Sequence, residues 1–199
     1  MDLQHHAECA VDELNTLQDV IRWSVSRMSE AGIYYGHGTD NPWDEALLLV
    51  THALHLPWNL ANEWRNAQLT RTERQAAIDL ILTRIEQRVP APYLTGVAWF
   101  CNLPFVVDER VLIPRSPIGQ MIDQGFAPWW QGHTLDGQPQ PQRIMDLCTG
   151  SGCIGIAMAK KFPQAEVELL DLSFEALEVA DENIQRHQLE DRVMALQSD

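Results

Sequence analysis

The stretch IMDLCTGSGCIG, Ile144 to Gly155, constrains the fold of this chain more than any other. Gly150, Gly152 and Gly155 follow one apolar run and open another, the Gly-x-Gly-x-x-Gly spacing of a strand that turns tightly into a helix. The alternation continues past the turn. RIMDLC reads as a strand, SGCIGIAMAKKF as a helix, AEVELLDL as a strand, SFEALEVADENIQRHQL as a helix capped by Ser173, and RVMALQSD as a third strand. A β-α-β-α-β series implies a parallel sheet with right-handed crossovers. Three strands make the first half of such a sheet, since doubly wound sheets are built from about two halves.

The residues before it have a different character. Val11, Leu14, Leu17, Ile21, Val25 and Met28 recur at steps of three and four, which predicts one amphipathic helix from Val11 to Met28. Asn41 and Pro42 supply an N-cap and a first helical position for a second helix. Thr70 and Glu73 form a capping box for a third, which Pro90 and Pro92 stop after Val89. Around Gly96, Asn102 and Pro104, YLTGVAWFCNLPFVVDERVLIP reads as two short strands and a turn. A helix from Ser116 to about Phe126 and a Pro-, Gly- and Gln-rich loop lead into the parallel sheet. The expected organisation is α/β: a helical domain over 1–91, a β-hairpin linker over 92–113, and a partial sheet domain over 114–199.

A net charge of -14 argues against free DNA or RNA as the main partner, because phosphate binding needs clustered Lys and Arg. It suits a basic protein partner instead. Cys9, Cys101, Cys148 and Cys153 show no Cys-x-x-Cys pair, and read as small buried side chains in a reducing compartment. The first residues lack the basic start and apolar core of a signal peptide, and no apolar run approaches the roughly 20 residues that span a bilayer. The expectation is a cytoplasmic protein without membrane contact. His52 and His55 lie three apart, but no third ligand accompanies them, so no metal site is expected.

The glycine turn admits more than one ligand. A nucleoside-triphosphate P-loop is excluded because no Gly-Lys-Ser or Gly-Lys-Thr follows. A nicotinamide site stays open: the glycines fit, and Asp171 ends the second strand where an acid can accept hydrogen bonds from ribose hydroxyls. Asp146 weighs the other way. A carboxylate four residues before Gly150 repels a pyrophosphate and opposes the field of the helix N-terminus. S-adenosylmethionine has no phosphate and carries an ammonium and a sulfonium, which a nearby carboxylate stabilises. The residues favour the methyl donor over NAD and the NAD-dependent oxidoreductase it would imply.

DLCTGSGCIG, with ERVLIPRSPIG upstream, resembles the glutamine N5-methyltransferases of the HemK family. Within that family, IRWSVSRMSEAGIYYGHGTDNPWDEA resembles the branch that modifies ribosomal protein L three. The sister branch acting on peptide-chain release factors is the alternative. The resemblance implies a Rossmann-like class I methyltransferase sheet with S-adenosylmethionine as cofactor. By the same resemblance, Cys148, Thr149, Gly150, Ser151 and Gly152 wrap the methionine part, with Asp146 at its rim, Asp171 on the ribose and Asp199 near the adenine. Pro114 and Arg115, in the IPR segment, would lie over cofactor and substrate, and Trp99 and Phe100 would line the peptide channel.

The family's Asn-Pro-Pro-Tyr segment has no counterpart in residues 1–199. The chain is therefore expected to be truncated before its catalytic motif and not competent by itself; a non-catalytic protein-binding fragment is an alternative. Such a chain would leave a strand edge that invites homo-oligomerisation.

Overall fold

The structure is a computed structural model that describes residues 3–57, 59, 62–130 and 140–198. It divides into two compact units, Met1–Thr95 and Gly96–Asp199.

The first unit is helical. α1 (Leu3–Glu13), α2 (Leu17–Glu30), α3 (Pro42–Ala53), α4 (Arg71–Glu86) and the short α5 (Ala91–Thr95) enclose one apolar core. Leu17, Val20, Ile21 and Met28 of α2 meet Ala46, Leu49 and Val50 of α3 and Ala77, Ile78 and Ile81 of α4 there. The single helix expected from Val11 to Met28 is two helices. Asn15 and Leu17 pair with the chain before α4, through Leu69 N to Asn15 O at 2.9 Å and Leu17 N to Ala67 O at 3.0 Å. Those bonds take backbone groups that a continuous helix would need. Thr16 then starts α2 as a reciprocal capping box with Asp19: Asp19 N donates to Thr16 Oγ1, and Thr16 N to Asp19 Oδ2. α3 begins on Asn41 and Pro42, and α4 on Thr70 and Glu73, as expected.

Glu45 and Arg84 form a salt bridge at 2.7 Å with both side chains almost wholly buried. Thr39 Oγ1 donates to Glu45 Oε2 and Arg84 donates to the Tyr34 carbonyl, so the pair holds the loop between α2 and α3. The charges are compensated and mostly hydrogen-bonded, the condition under which a buried pair is tolerated.

The second unit opens with the expected hairpin, β1 (Val97–Phe100) antiparallel to β2 (Leu103–Val106). Cys101 and Asn102 both have left-handed backbone, φ 48° and 60°, as a two-residue primed turn requires. α6 (Ile118–Asp123) is shorter than the expected helix. Then β3 (Arg143–Leu147), α7 (Cys153–Lys161), β4 (Glu166–Asp171), α8 (Phe174–Arg186) and β5 (Val193–Gln197) alternate, and the strands pair in parallel in the order β3-β4-β5. This is the β-α-β-α-β alternation on a parallel sheet that the sequence pattern implies.

Side-chain alternation along the strands decides what each face does. Ile144, Val167, Leu169 and Val193 are buried on the face that receives α7 and α8. On the other face Met145 and Met194 flank Glu168, and Leu147 and Leu196 flank Leu170; the two methionines and these two leucines are exposed. No described helix of this unit covers them. Of the four cysteines only Cys153 is buried. Cys9 and Cys101 are half-buried and Cys148 is exposed, which corrects the expectation of four buried thiols.

Candidate functional site

The turn between β3 and α7 is built from left-handed backbone. Cys148, Gly150 and Gly152 have φ of 56°, 55° and 78°, and Gly152 is the N-cap of α7. Only glycine adopts such angles without cost, and a cysteine held there is strained. Thr149 N donates to the Leu170 carbonyl, which extends the β3–β4 pairing into the turn. Gly155 answers to packing instead. A Cβ there would collide with the Leu169 side chain and press on Asp146, so α7 lies against the sheet only because the position is bare. That is the close helix-strand approach the third glycine of the pattern serves.

Two carboxylates hold the turn from the sheet side. Asp146 Oδ2 accepts from Thr149 Oγ1 at 2.7 Å and from Gly155 N at 2.9 Å, while its other oxygen makes no hydrogen bond to the described residues. Asp171 Oδ2 accepts from Gly150 N at 2.9 Å, and its Oδ1 from Ser173 N at 3.0 Å. A carboxylate offers about four lone-pair sites, so each retains acceptor capacity. Burial pushes the Asp146 carboxyl above its usual range and the charge of Asp171 adds to this, against the two hydrogen bonds it accepts. Burial likewise raises the Cys153 thiol to about 11, which makes it a packing residue and not a nucleophile.

The remaining candidates are placed less evenly. Ser151 and Thr149 are buried, and Ser151 Oγ has no oxygen or nitrogen partner among the described residues. Cys148 is exposed beside Leu147, and Leu172 and Phe174 are exposed just past the end of β4. The structure thus gathers Asp146, Cys148 to Gly152 and Asp171 at one end of the sheet. Phe100 is buried, its ring close to Gly119, whereas its neighbour Trp99 is exposed. Pro114 is half-buried and Arg115 exposed. Asp199 lies outside the described residues.

Two further residues matter at this end of the unit. Asn183 is completely buried on α8, where its amide donates to the Ser151 carbonyl of the turn and exchanges two bonds with Val106 of the hairpin. Arg110 grips Asp108 and reaches Glu178 and Glu182 on α8. Neither stands out by motif. Asn183 had one signal: it falls on the apolar stripe Ala176, Leu177, Ala180 and Ile184, where a polar side chain must find partners.

The turn and both acids lie inside a stretch that a family model matches. Residues 132–199 match the family model of the methyltransferase small domain. The chain is homologous to curated methyltransferases. It is 46% identical over 181 residues to the ribosomal protein uL3 glutamine methyltransferase of Bordetella pertussis, covering 91% of this chain and 59% of that protein. It is 47% identical over 190 residues to the enzyme of the same name from Xanthomonas campestris pv. campestris, covering 96% of this chain and 59% of that protein. The chain thus spans about three-fifths of the length of these relatives. They carry the same substrate in their names as the branch whose resemblance was read from the α2 to α3 segment. In that segment Glu45 is buried in its pair with Arg84.

Proposed function

We propose that the protein transfers a methyl group from S-adenosylmethionine to the side-chain nitrogen of a glutamine in a ribosomal large-subunit protein, uL3. The observation that carries this reading is the pair Asp146 and Asp171 bracing a glycine turn, with acceptor capacity left on both carboxylates. Two acids at one turn repel a pyrophosphate and suit a ligand that offers hydroxyls and positive charge. The names of the homologues supply the substrate.

In this reading the cofactor brings a methyl group on a positively charged sulfur. Asp171 accepts from the ribose hydroxyls while Gly150 N keeps the carboxylate oriented. The bare backbone of Gly150, where a Cβ would meet open space, lets the methionine part approach the turn, while the bare Gly152 packs on Leu169 and Ile156. The remaining oxygen of Asp146 faces positive charge in a half-buried site, where water screens the attraction less than at the open surface. The glutamine amide is a poor nucleophile, since its nitrogen lone pair is delocalised into the carbonyl. Two acceptors that take its hydrogens orient that nitrogen toward the methyl group, and the proton leaves after transfer. Residues 1–199 contain no Asn-Pro-Pro-Tyr run to supply those acceptors. Residues 1–199 are therefore proposed to bind the cofactor with little or no turnover, the reaction belonging to the whole protein.

The net charge of -14 favours encounter with a strongly basic ribosomal protein in the cytoplasm, where ribosomes assemble. No described helix is long and apolar enough to cross a membrane. The test is calorimetry with S-adenosylmethionine, S-adenosylhomocysteine and NAD, followed by labelled methyl transfer to purified uL3 and to release factors. Binding of the adenosyl compounds but not NAD, with label in uL3, is expected. Saturable NAD binding overturns the cofactor reading. Label in release factors alone overturns the substrate.

A further inference from the structure

We infer that Asn183 is a positioning residue that locks the hairpin to the cofactor turn, so that the two move as one piece. The inference rests on the cofactor reading above and deepens it. Asn183 Oδ1 accepts from Val106 N at 2.7 Å, and its Nδ2 donates to Val106 O at 3.0 Å and to Ser151 O at 2.9 Å. One side-chain amide thus completes both backbone groups of the last residue of β2, as a neighbouring strand would, and binds the turn with its remaining hydrogen. Bonds of this kind gain strength away from water, and Asn183 and Ser151 are both fully or nearly fully buried. The turn bears on the cofactor. The hairpin carries the exposed Trp99 and runs on toward Pro114 and Arg115, which the family resemblance would place over cofactor and substrate.

The lock is separate from the bonds that merely dock the hairpin. His187, one helical turn along α8, contacts the Pro104 carbonyl at 3.0 Å and packs its ring on Phe105. Arg110 joins Asp108 to Glu178 and Glu182. Neither set touches the turn. Loss of Asn183 therefore leaves these docking bonds in place and removes the hydrogen-bonded link from Val106 to the Ser151 carbonyl of the turn.

The test is amide NMR on isotope-labelled residues 1–199, comparing the native chain with Asn183→Leu and Asn183→Asp. The aspartate keeps the acceptor for Val106 N and removes both donors, so it cuts the link to the turn even if the leucine variant does not fold. In the native chain S-adenosylhomocysteine is expected to shift the Gly150, Gly152 and Val106 amides together. In the variants the Gly150 and Gly152 shifts persist and the Val106 shift falls at least about fivefold. A Val106 shift of undiminished size in a folded variant overturns the lock. Should the native chain show no shift at the turn, the cofactor reading fails by itself. The lock is then read from Gly150→Ala, which strains the turn without a ligand. Val106 responds in the Asn183 background and not in Asn183→Asp if the lock exists, and an equal response in both overturns it.

Discussion

Asp146→Asn separates the two tasks of the carboxylate that decides the cofactor. Asp146 Oδ2 takes both of its hydrogen bonds, from Thr149 Oγ1 and Gly155 N, and an asparagine Oδ1 can take the same two. The turn therefore stays built, and what changes is the charge. Burial holds the native carboxyl above its ordinary 3.8, so the folded state binds that proton more tightly than the unfolded chain. The stability linked to this is fully present below about 3.8 and is lost as pH rises through the raised native value. At neutral pH the ionised carboxylate is thus a cost that asparagine does not carry. The variant is expected to melt at or above the native temperature at pH 7, and the gap is expected to close as the pH approaches 4. Binding should move the other way. One free carboxylate oxygen facing a cation is a single charge-assisted contact worth about 1.5–3 kcal/mol, or roughly a 10- to 150-fold loss of affinity for S-adenosylmethionine. Scanning fluorimetry across pH, paired with calorimetry, reads both effects. A folded variant that binds S-adenosylmethionine as tightly as the native chain refutes the role given to Asp146. A neutral-pH melting temperature well below native refutes the claim that the turn survives on two hydrogen bonds.

Gly155→Ala places a Cβ against Leu169, and is expected to cost about 1–3 kcal/mol in a thermal or denaturant melt; a variant as stable as the native chain would show that α7 can lift from the sheet. Arg84→Met leaves Glu45 charged and buried, and should destabilise the helical unit by about 3–5 kcal/mol, whereas Arg84→Met with Glu45→Leu should regain most of the loss in urea unfolding. Burial lowers the basicity of His187 despite the opposing contact with the Pro104 carbonyl. Its contribution to stability is therefore present above about 6.5 and is lost as pH falls through the depressed native value, a slope that His187→Phe should flatten in melts between pH 7 and pH 5. Met145, Leu147, Met194 and Leu196 leave one sheet face apolar and open, so residues 1–199 are expected to self-associate in sedimentation velocity; Leu147→Lys with Leu196→Lys should shift the chain toward monomer.

The second unit was legible where local chemistry and pattern agree. Three glycines, a capping Ser173 and alternating apolar runs name the strands and helices of the sheet before any packing is considered, and each stands where the pattern puts it. The break between α1 and α2 was not, because Leu14, Leu17 and Ile21 keep helical spacing straight across it. What breaks the helix is distant in sequence: the backbone at Asn15 and Leu17 is taken by Leu69 and Ala67. The local cue was Thr16 with Asp19, a capping box closed by the shorter acid. The exposure of Cys148 escaped for a related reason. Cysteine is usually buried, but this one sits in the turn with left-handed backbone and is exposed.

The cofactor turn also shows what charge counting leaves out. From sequence, Asp146 is a negative charge near a helix N-terminus, which decides against a phosphate by repulsion alone. In the structure the same carboxylate bonds the turn's hydroxyl and the first-turn amide of α7, so part of its charge is already engaged by the protein. A pyrophosphate is further disfavoured because Gly155 N, one of the first-turn donors of α7, is occupied. A cation is favoured by the remaining oxygen of Asp146 and by the nearby charge of Asp171, which adds to burial in raising the Asp146 carboxyl. Two like charges beside one turn are costly when the site is empty of positive charge. A ligand that brings one relieves that cost, so in the proposed reading the repulsion between Asp146 and Asp171 contributes to the affinity for a methyl donor.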